Sequence, residues 1–98
     1  MTFRIIVRRA AAQDIREAHA WYEAQSSGLG REFLDEVEAA LQRIANGPDR
    51  YKYVLGDARR ALVRRFPYTV YFRVRGEDVR IVGVIHQHRD PRIWRLRL

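Results

Sequence analysis

Residues 58–94 read ARRALVRRFPYTVYFRVRGEDVRIVGVIHQHRDPRIW, and the fold turns on how that run divides. Tyr68 to Arg75 alternates cleanly, with Val70, Phe72 and Val74 on one face and Tyr71, Arg73 and Arg75 on the other. That is the period-two pattern of a strand with one covered face. Gly76-Glu77-Asp78 is a hairpin loop. Val79 to Ile85 is apolar on both faces except at Arg80, which predicts a central strand. Arg59 to Phe66 alternates less regularly, and Pro67 after it marks a bend or a strand end. The run therefore predicts three consecutive strands that end in a polar tail, His86-Gln87-His88-Arg89-Asp90-Pro91.

The first half of the chain supplies what covers such a sheet. Phe3-Arg4-Ile5-Ile6-Val7-Arg8 is β-rich and predicts a short strand with Ile5 and Val7 on one face. Ala11, Ile15, Ala18 and Tyr22 then form a helical stripe, with Asp14, Glu17 and Glu23 off it. Ser26-Ser27-Gly28 breaks the pattern. A second helix starting near Leu29 carries Leu34, Val37, Leu41 and Ile44 on one stripe. Asn46-Gly47-Pro48 stops it, because glycine accepts a left-handed cap and proline cannot continue a helix. So short a link makes the helices an antiparallel hairpin. Residues 49–57 read as a connection.

The predicted order is β-α-α-β-β-β with a short C-terminal extension. It makes an α+β domain with a helical hairpin packed on one face of a mostly antiparallel four-stranded sheet. The sheet's other face is left open, with Arg59, Arg65, Arg73 and Arg75 as candidates to line it. Ninety-eight residues suffice for one core, so residues 1–98 form a single domain.

Composition narrows the chemistry. With no cysteine, disulfides, thiolate zinc sites and cysteine nucleophiles are excluded. No apolar run approaches the roughly 20 residues that span a bilayer, and the opening residues run straight into a strand. A soluble, cytoplasmic protein with no membrane partner is expected. Of 19 basic residues 18 are Arg, unevenly placed: residues 1–47 carry six Arg against seven Asp and Glu, net −1, and residues 48–98 carry 13 basic against five acidic, net +8. A half-molecule so charged favours phosphates or an acidic protein partner.

His86 and His88 are the residues with the most chemistry. A metal site would want a third ligand, for which only His19 or scattered carboxylates are available, so neither metal nor cofactor is expected. Acid–base work suits them better, since histidine titrates near neutral pH and arginine stabilises a phosphoryl transition state. A metal-free ribonuclease needs an acid, a base and cations around the scissile phosphate, a set that Arg64 or Arg65, His86, His88 and Arg89 could supply. A polar strand end whose histidines satisfy backbone groups explains the same residues. Tyr51, Tyr53, Tyr68, Tyr71 and Trp94 interleave with arginine, as on surfaces that stack on bases, although strand tyrosines also serve as half-buried packing. Arg59, Arg60, Arg73, Arg75 and Trp94 are candidates for holding a target or partner. No Ser-His-Asp set, phosphate-cradling loop or dinucleotide fingerprint is present.

The segment RRALVRRFPYTVYFRVRGEDVRIVGVIHQHRDPRIW, with the opening FRIIVRRAAAQDIREAHAWYEAQ, resembles the RelE/ParE superfamily of type II toxin–antitoxin toxins over nearly the whole chain. RRFPYTVYFRV and VIHQHRDP are its most specific parts. The resemblance implies a toxin held in a hetero-oligomer by an antitoxin whose acidic C-terminal segment folds onto it. RelE-like members cleave messenger RNA on the ribosome, whereas ParE-like members inhibit DNA gyrase. Here the lysine pair that ribosomal cleavers carry before the second strand is reduced to Lys52, and Trp94 stands where a C-terminal tyrosine is expected. The texture is more similar to the ParE-type, plasmid-stabilisation branch. Ribosome-dependent cleavage is the alternative, and a non-toxic antitoxin-binding co-repressor is a second.

Overall fold

A computed structural model describes residues 2–98. The elements are β1 (Arg4–Val7), α1 (Arg9–Gln25), α2 (Leu29–Asn46), a 3-10 turn (Pro48–Arg50), β2 (Tyr53–Leu55), β3 (Ala58–Leu62), β4 (Tyr68–Arg75), β5 (Asp78–His86) and the single-turn α3 (Arg92–Arg95). The sheet has five strands in the order β1-β5-β4-β3-β2. It is antiparallel except where β1 runs parallel to β5, Ile5 opposite Val79 and Val7 opposite Ile81. The chain leaves one edge of the sheet, is carried over its face by the helical hairpin, and returns as a meander to lie beside its own first strand. Among the described residues no helix is long and apolar enough to cross a membrane.

The expected α+β architecture is present, with two corrections. The sheet gains a fifth strand, because Tyr53–Leu55 within the expected connection pairs with β3. Its three residues are too few to show alternation, and Tyr53 and Leu55 are exposed. The strand expected over Arg59–Phe66 ends at Leu62. Beyond it Val63 donates to the Tyr68 carbonyl at 2.9 Å and Tyr68 to the Phe66 carbonyl at 2.8 Å, so Arg64 and Arg65 bulge outward while Val63 and Phe66 tuck into the core. Arg65 holds a left-handed φ of 70°, a strained conformation for a residue with a side chain.

The core lies between the hairpin and one sheet face. Phe33 is its centre, with ring centroids 5.2 Å from Tyr22, 5.3 Å from Phe66 and 5.1 Å from Tyr68, in tilted and edge-to-face geometries that aromatic rings favour. Around it Ala11, Ala18, Val37 and Ile44 from the helices meet Val70, Phe72, Val79 and Ile81 from the strands. The two helices approach closely where Gly30 faces His19. A Cβ on Gly30 would stand 2.8 Å from the imidazole. Glu23 seals the same corner: its carboxylate accepts from the backbone N–H groups of Gly28 and Gly30, both at 3.0 Å, which are donors a helix start otherwise leaves unsatisfied.

Phe33→Ala should cost about 3–5 kcal/mol, read as a lower urea midpoint. The Gly28 and Gly30 hydrogen bonds hold the Glu23 carboxyl below its ordinary value. Its contribution is therefore complete above the ordinary glutamate range and is lost as pH falls through the depressed value. Glu23→Gln should flatten the acid limb of the stability–pH curve.

Candidate functional site

Three surfaces carry the residues singled out from sequence. The first is the sheet end where the β3–β4 turn meets the end of β5. Tyr68 lies opposite His86, their rings 5.3 Å apart, with His88 5.4 Å beyond. His86 Nδ1 accepts from the backbone N–H of His88 at 3.1 Å, so one ring nitrogen is occupied by its own turn. Burial pushes the Tyr68 phenol up. Arg89 flanks the same groove. Arg65 points elsewhere: it donates to Glu32 at 2.6 Å and lies 3.7 Å from Glu36, both on α2. Arg64 opens onto a separate hollow with Arg43, Arg50 and Tyr51. The structure thus gathers His86, His88 and Arg89 and leaves Arg64 and Arg65 apart from them.

The second surface is the sheet face away from the hairpin. Its end nearest the tail is covered by α3. Trp94 is only 5% exposed and stacks on Tyr71 at 4.4 Å and 14°, so it packs rather than projects. A register irregularity beside Phe72 places Tyr71 against Gly83 and Phe72 against Ile81, leaving Val82 as the extra residue of a bulge. The uncovered end carries Arg73, Arg75 and Arg80, with Arg8 beside them. Arg73 meets Asp57 at 3.0 Å and Arg75 bonds the same carboxylate. The Arg75 hydrogen bond, then that of Arg73, holds Asp57 below the usual carboxylate range. Arg60 is exposed opposite Tyr71. Of the four arginines expected to line this face, Arg73 and Arg75 do. Arg59 lies opposite Phe72, caps the carbonyls of Pro48 and Tyr51 and stacks over Tyr53 at 4.1 Å, holding the α2–β2 connection. Arg65 is committed to α2.

The third surface is a groove beside the helical hairpin, a place the sequence suggests for a partner helix without naming the residues that line it. Beyond Ile81 the outer edge of β5 has no strand partner, because β1 stops at Val7. A groove of about 550 Å³ runs there between α1 and β5, lined by Trp21, Tyr22, Tyr68, Ile85, His86 and Arg89 among others. Trp21 stands 60% exposed. Asp14 marks the groove's inner end: it accepts from the Val84 backbone N–H at 3.0 Å and from Arg97 at 2.6 and 3.1 Å. Lying off the helical stripe, Asp14 gave no sign of a contact 70 residues away. The exposed Trp21, one position before the buried stripe residue Tyr22, was the available signal.

A family model described as the ParE toxin of the type II toxin–antitoxin system parDE matches residues 5–91. The chain belongs to the ParE toxin family. Toxin ParE2 of Mycobacterium tuberculosis is 28% identical over 92 residues, covering 93% of this chain and 88% of its own. A chain of the chromosomal ParDE toxin–antitoxin system from P. aeruginosa matches with a TM-score of 0.75 over 87% of this chain and 96% of that one. At 16% identity this second likeness is one of fold. The superfamily resemblance read from sequence thus narrows to its ParE branch.

Asp14→Ala should leave the Val84 N–H and the Arg97 guanidinium without their acceptor and cost about 2–3 kcal/mol. Asp14→Asn, which keeps an acceptor for Val84, should recover part of that loss in the same urea titration.

Proposed function

We propose that this protein is the toxin of a parDE-type pair, that it arrests growth by inhibiting DNA gyrase, and that an acidic antitoxin segment neutralises it. The observation that favours a binding toxin over a nuclease is the separation of Arg64 and Arg65, the cations expected around a scissile phosphate, from His86, His88 and Arg89. Arg65 is tied to Glu32 and Glu36, Arg64 faces a different hollow, and His86 spends one nitrogen on the backbone of its own turn. Cleavage of a phosphodiester needs those groups within hydrogen-bond reach of one phosphate. A toxin that acts by holding its target needs only a fixed, charged surface, and the ParE family match over residues 5–91 supports that class.

The groove beside α1 suits the antitoxin. It offers apolar anchors in Trp21 and Tyr22 and a cationic group in Arg89, which is what an amphipathic acidic segment requires. The net charge of +8 on residues 48–98 steers such a segment inward. Ribosome-dependent cleavage has one observation in its favour, the adjacency of Tyr68, His86 and His88.

Expression without an antitoxin should arrest growth, and His86→Ala/His88→Ala should leave the arrest intact. Purified protein should inhibit gyrase supercoiling while messenger RNA in a cell-free translation reaction stays whole. Codon-positioned cuts that vanish in the double variant would replace gyrase with the ribosome. No arrest at all would leave an antitoxin-binding co-repressor.

A further inference from the structure

The sheet face away from the helical hairpin concentrates charge in a way the fold alone does not need. Arg73 and Arg80 sit directly opposite each other on β4 and β5, a placement that brings their Cβ atoms to about 5 Å and, for like charges, destabilises a sheet. Arg75 and Arg8 join them around Val82. Arg8 and Val82 also line a second, larger hollow of about 630 Å³ with Arg9, Arg16 and Arg97. The two hollows form one continuous basic track from β4 across β5 to the start of α1. Seven guanidiniums meet three carboxylates along it: Asp57 against Arg73 and Arg75, Asp14 against Arg97, and Asp78, which lies opposite Arg75, pairs with Arg4 and is felt by Arg80. Among the described residues Arg8, Arg9, Arg16 and Arg80 have no carboxylate within ion-pair distance, and Arg80 is exposed, with Arg73 opposite it on β4 and Ile6 opposite it on β1.

We propose that this track is a docking surface for the sugar–phosphate backbone of duplex DNA. Arginine forks match phosphate oxygens in pairs, and the cross-strand neighbours Arg73 and Arg80 present two such forks side by side. An acidic peptide is disfavoured here, because peptide docking draws on apolar anchors and Val82, at the centre of the track, is 2% exposed. Those anchors lie instead in the groove beside α1. Single strands are disfavoured because their binding relies on aromatic platforms that stack on bases, and on this face Tyr71 and Trp94 stack on each other. What remains is contact with phosphates alone, which is independent of sequence. The surface deepens the proposed action at gyrase, an enzyme that holds duplex DNA: the toxin would grip the bound DNA as well as the protein.

The test uses the full chain, freed of any antitoxin, and a fluorescent duplex of arbitrary sequence, with no gyrase present. Anisotropy titrations at rising KCl should give a binding constant whose logarithm falls linearly with the logarithm of salt. Arg8→Gln/Arg80→Gln should reduce that slope by about one per arginine and weaken binding about tenfold or more at fixed salt, as should Arg80→Glu alone. The charge-matched Arg31→Gln/Arg43→Gln, on α2, should keep the slope. Absence of duplex binding, an equal loss in the α2 variant, or tighter binding of a single-stranded RNA or an acidic peptide at the same arginines would each overturn the proposal. Gyrase inhibition is measured separately, so absence of duplex binding by the unsubstituted protein, with supercoiling still inhibited, rejects this surface without rejecting the target.

Discussion

The parallel pairing of β1 with β5 is the constraint on which the rest of the structure depends. It joins residues 4–7 to residues 78–81, so the first strand has no place in the sheet until the last is laid down. With β1 at one edge and β2 at the other, the chain must cross the whole sheet between them. A hairpin of 17- and 18-residue helices is what spans it. That crossing puts both long helices on one face and leaves the opposite face, beyond the end that α3 covers, to whatever side chains the strands present. The functional division of the molecule into a packed side and a charged side follows from one strand pairing.

The helices and the β4–β5 hairpin were legible because their signals are local and redundant. The stripe through Ala11, Ala18 and Tyr22, the stripe through Val37 and Ile44, and the turn at Gly76 each specify an element within one stretch of chain. β2 was not legible, because three residues carry no period and its strand character comes only from pairing with β3. The early end of β3 was hidden for a different reason. Arg65 adopts a left-handed turn without glycine or asparagine, held by two glutamates on α2, and no nearby residue announces it.

At the site, residue type was legible and assignment was not. Eighteen arginines announce a cation-rich protein, but the same side chain fills four roles. Arg59 binds backbone carbonyls and Arg65 clamps a turn to a helix. Arg73 and Arg75 share one aspartate, while Arg8 and Arg80 face solvent beside them. Which arginine does which depends on contacts far apart in sequence, such as Arg73 with Asp57 or Arg97 with Asp14. Trp94 is a related case: its interleaving with arginine suggested an exposed stacking surface, yet Tyr71 takes its ring face and closes one end of the sheet.

Asp14 has a bearing on how the molecule keeps to itself. The outer edge of β5 past Ile81 is apolar, Val82-Gly83-Val84-Ile85, without the lysine or proline that commonly blunts an exposed edge against joining another sheet. The block comes from outside the strand: a carboxylate lent by the neighbouring helix occupies the Val84 N–H, and Arg97 locks it in place. An approaching strand, whether from another copy in a crowded cell or from an aggregating fragment, would have to dislodge an ion pair before making its first ladder bond. The strand is thereby free to remain wholly hydrophobic for the sake of the core, with its protection against runaway stacking delegated to two residues at opposite ends of the chain.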